Sequence, residues 1–289
     1  MFKIKIAKNA GFCFGVKRAV DLVETTAKKK SGTVCTLGPV IHNPQEVERL
    51  AKQGIKILSD PKEIKNGYLI LRTHGIPFEL REKLEKNKLI NVIDATCPFV
   101  KRAQNIVKVL SSNEKYKGAT IVLVGERVHP EVVALVSYCR GRCIIIENTR
   151  EAKMFKGSGD LHIVSQTTQN PKSFASIVNV LRERHNLEVH NTICEATINR
   201  QKSAEALAKD VDLMIVIGGR NSGNTTRLAQ ICSAKTRTYH VETVTDLKDK
   251  WFKNVESIGL TAGASTPDWI RNEIETMVKK IGLKNQKKI

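Results

Sequence analysis

The sequence predicts an α/β protein of three small lobes, each built on a mainly parallel sheet. Two observations carry this expectation. Short apolar runs alternate with segments of helical spacing along nearly the whole chain. A cysteine turn also recurs, as Gly11-Phe12-Cys13-Phe14-Gly15-Val16-Lys17-Arg18-Ala19, as Cys97-Pro98-Phe99-Val100-Lys101-Arg102-Ala103, and more weakly as Cys194-Glu195-Ala196-Thr197-Ile198-Asn199-Arg200. Each copy stands where an apolar run hands over to helical spacing.

Taken in order, 2–7 predicts a strand and 16–28 a helix, with Cys13 between them. A strand at 33–37 runs into His42-Asn43, and a helix at 47–54 stops at Gly54. Strand 68–71 leads to Thr73-His74, helix 78–87 follows, strand 90–93 leads to Cys97, and 100–111 is helical. Strand 120–124 ends in His129-Pro130-Glu131, and strand 161–164 ends in Thr167-Thr168. A helix at 174–184 precedes the run 188–193, Cys194 and a helix at 200–209. Strand 213–217 opens the loop holding Ser222 and Asn224, and strand 257–260 opens the one holding Ser265. Cutting at the cysteines gives lobes 14–96, 97–193 and 194–281, with 282–289 as a basic tail. The third lobe lacks a closing strand, which residues 1–13 would supply, so the lobes would form a trefoil with the cysteines at its centre.

Composition narrows the class. No run approaches the ~20 apolar residues of a membrane-spanning helix, and the N-terminus alternates Lys with Ile instead of forming a signal sequence. A cytoplasmic location follows by default. Seven cysteines, scattered and odd in number, favour reduced thiols or a metal over a disulfide framework. A net charge of +19 implies an anionic partner. Aromatic residues make up only 5% and no basic-aromatic motif is present, so the rival reading of an RNA-binding protein is poorly supplied with stacking platforms.

Three separated thiolates suit an iron-sulfur cluster that leaves one iron open, which could act as a Lewis acid. Zinc is the rival, but its structural sites usually show paired CxxC spacing. Cys139 and Cys143 read as incidental, and Cys35 and Cys232 as small buried side chains. Neither a GxGxxG nor a Walker A motif occurs, which weakens dinucleotide and ATP chemistry. Ligands of parallel sheets bind beyond the carboxyl ends of the strands. Six such ends carry polar sets: His42, His74, His129 with Glu131, Thr167, Ser222 with Asn224, and Ser265. Any one histidine is accounted for by a satisfied turn; their recurrence at equivalent places singles them out.

The motifs GFCFGV, VIHNP, THG, DATCP, HPE, SQTTQ, CEATINRQ, NSGNT and TAGAST stand in an order in which the chain resembles the 4-hydroxy-3-methylbut-2-enyl diphosphate reductase family over its whole length. The resemblance implies a [4Fe-4S] cluster on Cys13, Cys97 and Cys194, with one open iron. It implies reductive removal of the substrate hydroxyl with two electrons and two protons, giving isopentenyl and dimethylallyl diphosphate. By motif, Glu131 delivers protons, Thr167 positions the hydroxyl and the carboxyl group, and His129 belongs to the same catalytic set. His42, His74, His129, Thr167, Ser222, Asn224 and Ser265 bind the substrate. A ferredoxin or flavodoxin would donate electrons to the basic surface. Gly223 departs from the pattern, since many relatives carry a serine there. Without the resemblance, Glu131 reads first as a first-turn helix residue after Pro130, favourable to the helix dipole.

Overall fold

The computed structural model describes residues 2–29, 32–141 and 143–286. Its elements begin with β1 (Lys3–Ile6), α1 (Phe14–Lys29), β2 (Val34–Leu37), α2 (Pro44–Lys52), β3 (Lys56–Leu58), β4 (Gly67–Leu71), α3 (Phe78–Glu85), β5 (Ile90–Asp94) and α4 (Pro98–Ser112). They continue with β6 (Thr120–Val124), α5 (Pro130–Tyr138), β7 (Cys143–Ile146), α6 (Thr149–Met154), β8 (Leu161–Ser165), α7 (Pro171–Arg182) and β9 (Leu187–His190). The last third adds α8 (Glu195–Lys209), β10 (Leu213–Ile217), α9 (Gly223–Ser233), β11 (Arg237–Val241), β12 (Ser257–Ala262) and α10 (Asp268–Gln286).

The strands form three parallel four-stranded sheets, ordered β3-β2-β4-β5, β7-β6-β8-β9 and β11-β10-β12-β1. Read this way, all three have one topology: the second strand at one edge, then the first, the third and the fourth. In the last sheet β1 takes the place that β5 and β9 take in the others, pairing from Lys3 with Ser257 to Ile6 with Leu260. A cysteine turn follows each of these fourth strands.

By packing, the chain divides into two compact units. Residues 1–17, 41–49 and 195–289 carry the sheet of β1, and residues 18–40 and 50–194 carry the other two. Within the first unit both faces of β10 are covered. Leu213, Ile215 and Ile217 pack with Ile270, Ile274 and Val278 of α10, while Met214 and Val216 pack with Ala204 and Ala208 of α8 and Leu228 of α9. A strand buried on both faces needs an unbroken apolar run, which is why Leu213–Ile217 does not alternate. In the second unit Leu69 and Leu71 of β4 join Cys35 and Leu37 of β2, and Ile121 and Leu123 of β6 pack on Ala103, Val107 and Leu110 of α4.

Four helices open on a proline, namely Pro44, Pro98, Pro130 and Pro171. Proline at the first helical position loses no hydrogen bond and has its φ already set for a helix. Helix α10 runs through Gln286, so the tail expected from 282 begins inside a helix; 287–289 lie outside the described residues. No helix among the described residues is long and apolar enough to cross a membrane.

Candidate active site

The three cysteine turns share one hydrogen bond. The amide of Cys13 donates to the carbonyl of Ala264 (3.2 Å), that of Cys97 to Thr73 (3.0 Å) and that of Cys194 to Thr167 (2.9 Å). In each case the acceptor lies in the loop after the third strand of the sheet, at or beside a residue singled out from the sequence: Ser265, His74 and Thr167. Each cysteine also opens a helix, α1, α4 or α8, where aligned N–H groups favour negative charge. All three are half-buried, whereas Cys35, Cys139 and Cys232 are buried. Burial pushes the Cys232 thiol up to about 12, unsuited to a thiolate ligand.

Two arginines absent from the predicted set fix these turns. Arg200 donates from Nε to the carbonyl of Asn9 (2.9 Å) and from Nη2 to that of Gly11 (2.7 Å), bracing the loop before Cys13. Arg18 reaches the carbonyls of Asp94 and Thr96, both at 3.3 Å, and braces the approach to Cys97. Their only sequence signal was the repeated basic residue downstream of the cysteine.

Within the second unit, Glu131 stands in the first turn of α5 and is 1% exposed. Both its oxygens accept from Thr167, Oε1 from the amide (2.6 Å) and Oε2 from the hydroxyl (2.8 Å). Burial pushes the carboxyl up to about 7, against the pull of those two bonds. A carboxyl that titrates near neutrality can hold a proton and release it. His129 caps α5, its Nδ1 accepting from the Glu131 amide at 3.1 Å. In the neutral imidazole this assigns the proton to Nε2, leaving that nitrogen a donor. The His74 ring meets the His129 ring edge-on at 5.4 Å. This unit thus joins Thr167 directly to Glu131 and Cys194, and sets His74 beside His129.

Within the first unit, the loops after β10 and β12 are tied together. The Gly263 amide donates to the Ile217 carbonyl (2.9 Å), and the Thr266 hydroxyl donates to the same oxygen (3.0 Å). A Cβ at Gly263 would collide with Thr225 Oγ1, so only glycine allows this approach. The Ser265 hydroxyl donates to the His42 carbonyl at 3.0 Å. Ser222 caps α9, its Oγ accepting from the Thr225 hydroxyl at 3.0 Å, and Gly223 is the first helical residue. Asn224 follows, buried, with neither its amide nitrogen nor its oxygen hydrogen-bonded. A buried amide without partners carries a desolvation cost of about 1–3 kcal/mol that a ligand would relieve. His42, Ser222, Ser265 and Cys13 therefore stand on loops of this unit, with Asn224 in the first turn of α9.

The chain is similar to known proteins over nearly its whole length. The 4-hydroxy-3-methylbut-2-enyl diphosphate reductase of Geobacter sulfurreducens is 48% identical over 277 residues, covering 94% of this chain and 95% of that one. The enzyme of the same name from Aquifex aeolicus is 46% identical over 287 residues, covering 97% of each. A solved (E)-4-hydroxy-3-methyl-but-2-enyl diphosphate reductase, described as the terminal enzyme of the non-mevalonate pathway, is 45% identical with a TM-score of 0.71, covering 97% of this chain and all of that one. The E-1-hydroxy-2-methyl-but-2-enyl-4-diphosphate reductase of Plasmodium falciparum is 29% identical with a TM-score of 0.87, covering 96% of this chain and 87% of that one. With the family model for LytB protein matching residues 4–279 as well, the chain belongs to the LytB family of these reductases.

Proposed function

We infer that the chain reduces 4-hydroxy-3-methylbut-2-enyl diphosphate, the activity for which its relatives are named. The allylic carbon–oxygen bond breaks, two electrons and two protons enter, and the oxygen leaves as water. The products are isopentenyl and dimethylallyl diphosphate. One observation carries this reading: the buried carboxyl of Glu131 is held at both oxygens by Thr167, whose carbonyl holds the amide of Cys194. Proton source and ligand turn lie on one hydrogen-bonded chain.

The proposed ligands of a [4Fe-4S] cluster are Cys13, Cys97 and Cys194. The donor set fits, being three half-buried thiols on matching turns at helix starts. When bound, such a cluster supplies the electrons and, at the iron without a cysteine, a Lewis acid. Glu131 gives up its proton as the hydroxyl departs, and its burial keeps bulk water from competing. Thr167 fixes the carboxyl and offers its hydroxyl oxygen toward the substrate alcohol. His42, His74, His129, Ser222, Asn224 and Ser265 are the proposed partners of the diphosphate. With Gly223 lacking a side chain, its contact falls to the backbone at the start of α9.

The test is anaerobic purification, iron and sulfide analysis, and turnover of the allylic alcohol with an artificial one-electron donor. Four irons with both diphosphate products and water are expected; an intact cluster with no turnover would overturn the reading. Asn224→Ala is expected to raise KM by about 10- to 100-fold with little change in kcat, the cost of a hydrogen bond to a charged group at ~1.5–3 kcal/mol. Steady-state kinetics decide.

The basic surface is proposed to dock an acidic ferredoxin or flavodoxin. Reduction by such a donor should slow steeply as ionic strength rises, and stopped-flow rates that ignore salt would remove the docking idea. A cytoplasmic setting is proposed from the seven scattered cysteines, an odd number that does not make a disulfide framework. The lobes are proposed to run 14–96, 97–193 and 194–281, the last completed by 1–13, on the strength of the strand order common to the three sheets.

A further inference from the structure

Away from the cysteine turns, the edge of the β7-β6-β8-β9 sheet brings two imidazoles and a carboxylate to one point. Strands β8 and β9 run parallel with His162 opposite Glu188 and Val164 opposite His190. Side chains alternate across a sheet, so Glu188 and His190, two residues apart, share a face, and His162 faces the same way from the neighbouring strand. His162 Nδ1 lies 3.2 Å from His190 Nε2 and 3.5 Å from one oxygen of Glu188, whose other oxygen lies 3.6 Å from His190 Nε2. We propose that His162, Glu188 and His190 form a second metal site, taking a borderline divalent cation of the zinc class through two nitrogens and a carboxylate.

The spacing is the argument. Ligands about 2.0–2.1 Å from a tetrahedral zinc ion stand about 3.3 Å from one another. The Nδ1–Nε2 separation and the Nδ1–Oε2 separation stand near that edge length, one ligand atom from each of the three residues lies within 4.8 Å of the other two, and a water would complete the coordination. A hydrogen bond between the two imidazoles accounts for one of the separations. It does not account for a carboxylate that turns one oxygen to each ring. Imidazole and carboxylate donors without sulfur select zinc-like ions over the softer thiolate-seeking ones.

Access and support are also present. His162 is 4% exposed, with the Tyr116 ring edge-on to it at 4.8 Å, while Glu188 stands largely in solvent. A cleft of about 440 Å³ reaches two of the three ligands, His162 and Glu188, with Tyr116 and Asp160 on its wall beside Lys115 and Lys117. The site lies within the strands, not on the carboxyl-end loops that carry Thr167 and Cys194. A bound ion would pin the edge strand β9 to β8, and through β9 the turn of Cys194 that follows it. Its role is thus structural, and it stands whether or not the reductase reading does.

The experiment uses the anaerobic, cluster-loaded protein titrated with zinc chloride alone, followed by zinc-edge X-ray absorption. One zinc per chain with a purely nitrogen and oxygen shell at about 2.0–2.1 Å, including imidazole, is expected. Removing an outer partner of a metal ligand already costs about 10- to 100-fold in affinity. His190→Ala should therefore weaken binding by at least about 100-fold, and so should Glu188→Gln, an exposed isosteric change that cannot be blamed on misfolding. A sulfur shell at about 2.3 Å, no zinc uptake, or unchanged affinity in both variants would each overturn the site.

Discussion

Replacing Glu131 by Gln leaves the fold and the iron content as they are and lowers turnover by about 10²- to 10⁴-fold, the usual worth of a positioned general acid. The amide keeps the shape of the carboxyl and can still accept the Thr167 amide bond now made to Oε1. It cannot release a proton. Wild-type turnover should fall as pH rises through about 7, where the Glu131 carboxyl ionises, and the residual activity of the variant should lack that limb. Near-normal turnover in the variant would take Glu131 out of the proton path. Stability gives a second readout with a definite sign. The folded carboxyl titrates at about 7 and the ordinary one at 4.5, so the folded state holds its proton more tightly. That contribution is complete below the ordinary value and is lost as pH climbs to about 7, up to about 3 kcal/mol at the rate of 1.36 kcal/mol per pK unit. Glu131→Gln should therefore be more stable than wild type at pH 8 and gain nothing at pH 4, as denaturant midpoints will show.

Cys97→Ser is expected to lose most of the iron and all measurable turnover while keeping its helices and strands. The Cys97 amide bond to Thr73 is made by the backbone and survives the exchange, so the turn persists while its thiolate is gone. The telling control is Cys232→Ser. Cys232 sits on α9 in an apolar cluster with Ala204 and Leu228, so a hydroxyl there costs about 1–3 kcal/mol of stability and no iron. Iron analysis and circular dichroism on the two variants separate the roles. Full iron in Cys97→Ser would end the ligand assignment.

What could be read in advance follows burial. Thr120–Val124 and Leu213–Ile217 are central strands covered on both faces, and their unbroken apolar runs gave them away. Edge strands β3 and β11 are partly exposed and have no apolar run to mark them, whereas the run of β7, Cys143–Ile146, is short and was not read as a strand. Helices were placed about three residues late at Val47, Val100 and Phe174, because apolar spacing begins at the first core residue while each helix begins at the proline before it. At the site, residues just past a strand were visible because the strand pointed to them. Arg18 and Arg200 were not, since they act on carbonyls far away in sequence. The position of Glu131 in a first helical turn was legible; its burial was not, since that depends on Thr167, which arrives on another strand. The same limit hid His162, Glu188 and His190, which meet only once β8 and β9 are in register.

The place of β1 also sets an order of events. Among the described residues its strand partner is β12, so β1 cannot join its sheet until Ser257–Ala262 has been made. Residues 18–194 carry two sheets complete in themselves and can fold as the chain emerges. The Cys13 turn, whose amide bonds to Ala264, is finished only once Ala264 has been made. Any metal held by the proposed thiols would therefore have to wait for Ala264, and a chain cut before that residue would lack the finished Cys13 turn.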